Sequence, residues 1–155
     1  MAGHPFYPGG IPKMNHVAMS VPADLLDETG RADLCRYFKE VLGFDELPMM
    51  TEDRHRLVFS CVHWEQFIYL IAEDDPMKAP RLDHYGFSVS SREELDAAWE
   101  RAIAFRETDP RIDIIDPSVD DQKVVKIHST YLGYLLPMMI ELQYWEFAGA
   151  EATAR

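Results

Sequence analysis

The sequence predicts an α+β fold made of two tandem copies of a β-α-β-β-β unit, and three observations predict it. A short motif occurs twice, as Asn15-His16-Val17-Ala18-Met19-Ser20-Val21 and as Asp83-His84-Tyr85-Gly86-Phe87-Ser88-Val89. Both read as Asn or Asp, His, a variable residue, a tiny residue, a variable residue, Ser and Val. Each copy runs into an amphipathic helical stripe, and each stripe runs into strand-like sequence.

The elements follow in order. The first motif carries the first strand. Leu34, Tyr37, Phe38 and Val41 then recur at i, i+3, i+4 and i+7, the buried stripe of a helix. Gly43 stands where a left-handed glycine ends such a helix. Strand-like runs occupy 56–62 and 66–72, and an acidic, proline-bearing joint lies at 73–80. The second motif opens the second unit. Ser91-Arg92-Glu93-Glu94 fits a capping box, and Leu95, Ala98, Trp99 and Ala102 form the second stripe. A weak strand at 111–115 precedes stronger ones at 124–130 and 138–145, with 46–54 and 115–122 expected as loops. The units span 12–73 and 81–147 within one domain, between arms at 1–11 and 148–155. One helix on one sheet of this size buries too little surface to stand alone, so the units are expected to share a core or a cavity.

Composition narrows the function. Of 155 residues, 47% are hydrophobic and 27% charged, which excludes disorder as the main state. Fifteen basic residues against 27 acidic ones give a net charge of −12. Nucleic acid and anionic membrane surfaces need a cationic face and are excluded as main partners. Cys35 and Cys61 cannot build a disulfide framework, no charged leader precedes an apolar run, and apolar stretches such as 131–140 are too short for a bilayer. The expectation is a reduced, cytoplasmic protein. No glycine-rich phosphate loop, nucleophile elbow or CxxC pair is present. A small molecule remains as the natural partner.

Side chains of a strand alternate between faces. Val17, Met19 and Val21 share one face of the first strand, leaving His16, Ala18 and Ser20 on the other. Tyr85, Phe87 and Val89 likewise oppose His84, Gly86 and Ser88, and Ile140, Leu142 and Tyr144 oppose Met139, Glu141 and Gln143. The apolar faces belong under the helices. The other faces gather His16, His84 and Glu141 beside residues small enough to leave room. A carboxylate in an apolar strand needs a partner, because burying it uncompensated costs several kcal/mol. Two imidazoles and one carboxylate form the facial triad of non-haem Fe(II) sites; the same donors accept Mn(II), Zn(II), Ni(II) or Co(II). Gln143, on the face of Glu141, is placed to contact substrate or to pack in a polar cavity. His4, His55 and His63 read as surface or turn residues, and Cys35 and Cys61 as inert thiols.

From about Pro12 to Phe147 these features resemble the vicinal oxygen chelate superfamily, the glyoxalase, bleomycin-resistance and dihydroxybiphenyl-dioxygenase fold. The resemblance implies a half-open, mostly antiparallel, eight-stranded barrel-like sheet with helices outside, curled around one divalent metal ion. It implies His16 and His84 as first-strand ligands and Glu141 as a last-strand ligand. Aligning Ile68-Tyr69-Leu70 with Ile140-Glu141-Leu142 puts Tyr69 at the equivalent position of the first unit, where glyoxalase I and methylmalonyl-CoA epimerase look for a further ligand. Tyr69 is therefore assigned to substrate contact. The three-ligand set is similar to extradiol dioxygenases and fosfomycin-resistance transferases, which favours Fe(II) or Mn(II). The run from His128 to Glu141 resembles an extradiol segment with shortened spacing and with its Asp-Pro and Gly absent. It proposes His128 and Tyr134 as acid–base groups beside the metal, against a plain packing role.

Three functions follow. An extradiol-type dioxygenase would consume oxygen on Fe(II). A redox-neutral isomerase, epimerase, lyase or thiol transferase would turn over without it. A metal-free protein of the bleomycin-resistance type would only bind. A homodimer is expected, its cavity closed within one chain or between two.

Overall fold

The computed structural model describes residues 13–61 and 63–149. The element order is β1 (His16–Val21), α1 (Glu28–Tyr37), β2 (Asp45–Glu46), β3 (Arg56–Ser60), β4 (Phe67–Ala72), β5 (His84–Ser88), α2 (Arg92–Thr108), β6 (Asp113–Asp121), β7 (Val125–Gly133) and β8 (Met139–Phe147). Two four-stranded mixed sheets result, ordered β1-β4-β3-β2 and β5-β8-β7-β6. In each, the opening strand runs parallel to the last strand of its unit, and the other pairs are antiparallel. The eight strands are thus carried by two unclosed sheets, in keeping with the half-open arrangement expected of tandem units.

The predicted stripes bury themselves. Leu34, Tyr37, Phe38 and Val41 are all inaccessible. The last two lie in a π-helical turn, Phe38–Leu42, that prolongs α1 and stops at Gly43 with φ 74°. Asp27 caps α1 by accepting from the amides of Thr29 and Gly30. Ser91 caps α2 by accepting from the Glu94 amide, while the Glu94 carboxylate accepts from the Ser90 amide. Leu95, Ala98 and Ala102 are buried, with Trp99 partly so.

One hydrophobic cluster runs through both units. Tyr37 stacks on Tyr134 with ring centroids 4.7 Å apart and meets Phe105 edge-on at 5.7 Å. Phe44 meets Phe87 at 5.3 Å. The helices pack on the sheets' apolar faces and against one another, which joins the units and leaves each sheet one face free.

One expectation is corrected. The stretch 115–122, expected as a loop, belongs mostly to β6. Asp116-Pro117 signals a turn in sequence, but β6 is the edge of its sheet, and the register slips between Ile115 and Ser118. An edge strand tolerates proline at such a bulge, where no ladder bond is lost. His4, Val62 and most of both arms lie outside the described residues. Among the described residues no helix is long and apolar enough to cross a membrane.

Candidate metal centre

The site is built by register. Gly86 of β5 lies opposite Glu141 of β8, and Glu141 lies opposite Tyr131 of β7. Residues opposite one another share a face, so His84, Gly86, Tyr131, Glu141 and Gln143 stand together on the free face of the second sheet. In the first sheet Ala18 lies opposite Tyr69. Tyr69 therefore occupies the place that Glu141 holds in the second.

His84 and Glu141 meet. Nε2 of His84 lies 3.3 Å from Oε2 of Glu141, whose side chain is 7% exposed. Nδ1 of His84 is 2.8 Å from the Leu82 carbonyl, which can only accept, so Nδ1 carries a hydrogen and donates it. This leaves Nε2 and a buried carboxylate oxygen directed at one another, an arrangement that repels unless a proton or a metal cation lies between them. Imidazoles that bind metals characteristically donate their other nitrogen to a carbonyl in this way. His16 repeats the device: its Nδ1 is 2.7 Å from the side-chain carbonyl of Asn15, and its ring stacks on Phe67 at 4.9 Å.

His16 does not join the other two. Among the described residues no three His, Cys, Asp or Glu side chains are grouped to hold a metal ion. The imidazole is exposed beside a cavity of about 310 Å3 that opens between the edge strands β1 and β5. Asn15, Phe67, Cys61, Gly86 and Ser88 also line it. The pair fits one half of the expected centre, and the third ligand stands apart from it.

Tyr134 and His128 lie elsewhere. The Tyr134 hydroxyl donates to Asp109 at 2.6 Å and accepts from Arg111 at 2.9 Å, deep among the helices. Nδ1 of His128 accepts from Arg92 of α2 at 2.6 Å, and its Nε2 donates to Glu146 at 2.8 Å. His128 lies opposite Tyr144 on the face away from Glu141. Gln143 does share the face of Glu141 and accepts from the Trp145 indole at 3.0 Å.

Tyr131 is the residue that sequence reasoning missed. It meets His84 edge-on at 5.0 Å and lies opposite Glu141 in the ladder. Burial first, then Glu141, pushes its phenol up to about 12, so it is a neutral donor at physiological pH. Its place depends on the β7–β8 turn, where left-handed Leu135 stands with no glycine to signal the register.

The cysteines are not nucleophiles of this site. Burial pushes Cys61 up to about 12; burial and the neighbouring Glu46 push Cys35 up to about 11. A wider depression beside α1 contains Cys35, but its Arg31 is already paired with Glu46 at 2.6 Å.

Paired β-α-β-β-β units with the helices on one side and free sheet faces on the other define the vicinal oxygen chelate fold, and this chain has it. Among solved structures it is similar to lactoylglutathione lyase from Agrobacterium tumefaciens (TM-score 0.59, 13% identity, 85% of this chain and 92% of that one). It is similar to the fosfomycin resistance protein FosX from Listeria monocytogenes (TM-score 0.58, 16% identity, 86% of this chain and 93% of that one). A glyoxalase/bleomycin resistance protein from Albidiferax ferrireducens T118 gives a TM-score of 0.58 at 16% identity, over 84% of this chain and 98% of that one. No family model matches the sequence, and no curated protein matches it either.

Proposed function

We propose that the protein is a divalent-metal-dependent enzyme acting on a small molecule with two adjacent oxygens, and that His84, Glu141 and His16 are its ligands. The observation that carries this reading is the 3.3 Å approach of His84 Nε2 to Glu141 Oε2 on the free face of the sheet, with Nδ1 of the same imidazole already committed to a carbonyl. A bound ion would engage both atoms and polarise substrate oxygens as a Lewis acid.

The chain's own groups do the rest. The Leu82 carbonyl fixes the tautomer of His84. Tyr131, opposite Glu141 in the ladder, keeps its proton, so it can serve as a hydrogen-bond donor rather than a base. Gly86 and Ser88 leave room above the pair. Tyr69, at the equivalent position of the first sheet, is assigned to the substrate, as is Gln143.

The lyase and fosfomycin-resistance neighbours support a redox-neutral reaction. The two-histidine, one-carboxylate donor set supports the dioxygenase alternative on Fe(II). The separation of His16 from the pair leads us to assign it to a second copy of the chain, in a homodimer with two shared sites.

The test is the metal content of protein purified without chelator, for the wild type, His84→Ala and Glu141→Gln. Near-stoichiometric metal in the wild type, with affinity about 100-fold weaker in both variants, is expected. Iron with oxygen uptake selects the dioxygenase, and turnover without oxygen selects the redox-neutral branch. No metal in the wild type, and none after reconstitution, overturns the reading in favour of a metal-free binding protein. Co-expression of His16→Ala with Glu141→Ala tests the shared site. A mixed dimer regains one intact ligand set only if the ligands come from two chains.

A further inference from the structure

His128 lies away from the proposed site, at the junction of α2 with the second sheet. It is 8% exposed, and its two ring nitrogens meet partners of opposite kind. Nδ1 lies 2.6 Å from Nη1 of Arg92 at the start of α2, and Nε2 lies 2.8 Å from Oε2 of Glu146 on β8. A guanidinium only donates, and an ionised carboxylate only accepts. Nδ1 is therefore bare and Nε2 carries the hydrogen, so the two bonds coexist only while the imidazole is neutral.

The first turn of α2 has little else to hold it down. Glu93 and Glu94 are exposed, and the buried stripe begins at Leu95. Arg92 donates from Nε to Asp96 at 2.8 Å, within the helix, which leaves Nη1 to tie the turn to the sheet. Residues 89–91 join this turn to Ser88, which ends β5 and lines the cavity between the sheets.

A second proton on the ring would settle on Nδ1 and set an N–H and a positive charge against the guanidinium. The bond to Glu146 would survive and gain charge. The charged and titratable groups around the ring are Arg92 and Asp96 of α2, Tyr144 and Glu146 of β8, Lys126 of β7 and Asp121 of β6. The carboxylates favour a charged imidazole, while Arg92 and Lys126 oppose it. These influences offset one another in the stability of the whole molecule, so the proton is best read where it acts, at the first turn of α2.

We propose that His128 is a proton-operated clasp. Neutral, it fastens the first turn of α2 to the second sheet. Protonated, it keeps Glu146 and lets Arg92 go, which loosens the turn and, through residues 89–91, the end of β5. The fastening is present in the neutral form and is lost as pH falls.

Amide hydrogen exchange followed by NMR tests this, with rates corrected for their intrinsic dependence on pH. The reporters are the amides of Val89, Glu94 and Leu95, which are bonded to the Gln143 carbonyl, the Ser91 hydroxyl and the Ser91 carbonyl. Their protection is expected to fall about tenfold between about pH 8 and about pH 5.5, the span in which imidazoles ordinarily change charge. His128→Asn places a carbonyl oxygen that accepts from Arg92 and does not titrate, so its protection is expected to stay high at both pH values. Arg92→Ala is expected to exchange fast at both. Equal protection of the wild type at the two pH values overturns the proposal, and so does a pH dependence that persists in His128→Asn or Arg92→Ala. The unmodified protein gives a further check, because the nitrogen shifts of the His128 ring at about pH 8 must show a bare Nδ1 and a protonated Nε2. The opposite tautomer overturns the proposal without any variant.

Discussion

Glu141 is 5% exposed and ionisable, and it is tolerated because three neighbours answer it. Tyr131 lies opposite it, His84 faces it, and Gly86 leaves open the space over its carboxylate. A Cβ at Gly86 would sit 3.5 Å from Oε2 of Glu141, an ordinary contact. Gly86→Ala is therefore expected to leave metal affinity nearly unchanged. Gly86→Leu would push a branched chain across the carboxylate and lower metal affinity by about tenfold or more, as changes to a ligand's supporting contacts do. Titration with Zn(II) checks both, with circular dichroism to confirm folding. Equal affinities for the two variants would mean that Glu141 does not hold the ion.

At the scale of the element, α1 sets two rules against each other. Gly30 lies in its first turn, where helix propensity alone would make alanine better by about 1 kcal/mol. A Cβ there would run into the Leu25 carbonyl, and the backbone of the turn before the helix cannot move cheaply. Gly30→Ala is thus expected to destabilise by about 1–3 kcal/mol, read from the urea midpoint; a rise instead would show that the turn does not pack there. Both helical stripes were legible in the sequence, because a buried face imposes the same period whatever it packs against. The faces of β1, β5 and β8 were legible for the corresponding reason, since a one-residue slip would drive Met19 or Leu142 into water. The bulge at Asp116-Pro117 was not, because an edge strand has no buried face to announce it. Nor was Tyr131. Its place opposite Glu141 depends on the β7–β8 turn, where Leu135 adopts φ 56° without a glycine to signal it. The same register explains His128: three residues before Tyr131, it must face the other way.

For the whole molecule the question is what joins the two units. Asp109, at the end of α2, is 3% exposed and accepts from Arg36 of α1 at 2.7 Å, from Arg111 at 2.6 and 2.8 Å, and from Tyr134 at 2.6 Å. Arg111 reaches back to Asp33 of α1 at 2.7 Å, and the Arg36 guanidinium lies 4.4 Å over the Phe105 ring. One carboxylate therefore fastens the second unit to the first helix. The hydrogen bonds from Arg111, with help from Tyr134 and against the cost of burial, hold it well below the usual carboxylate range. A depressed pKa in the folded state means that the unfolded chain takes up the proton first. The stabilisation is then complete above the ordinary aspartate value of about 4 and is lost as pH falls from there toward the depressed folded value. Asp109→Asn is expected to lower stability at pH 7 by about 2 kcal/mol, the scale for hydrogen bonds to a charged group. It should also flatten the loss of stability below pH of about 4. Urea unfolding of both proteins from neutral pH into that acid range measures the difference. Protonation of the other carboxylates, which relieves the repulsion of the −12 charge, cancels between wild type and variant. Parallel pH profiles would show that the clamp carries no folding linkage and that the shared hydrophobic cluster holds the two units together without it.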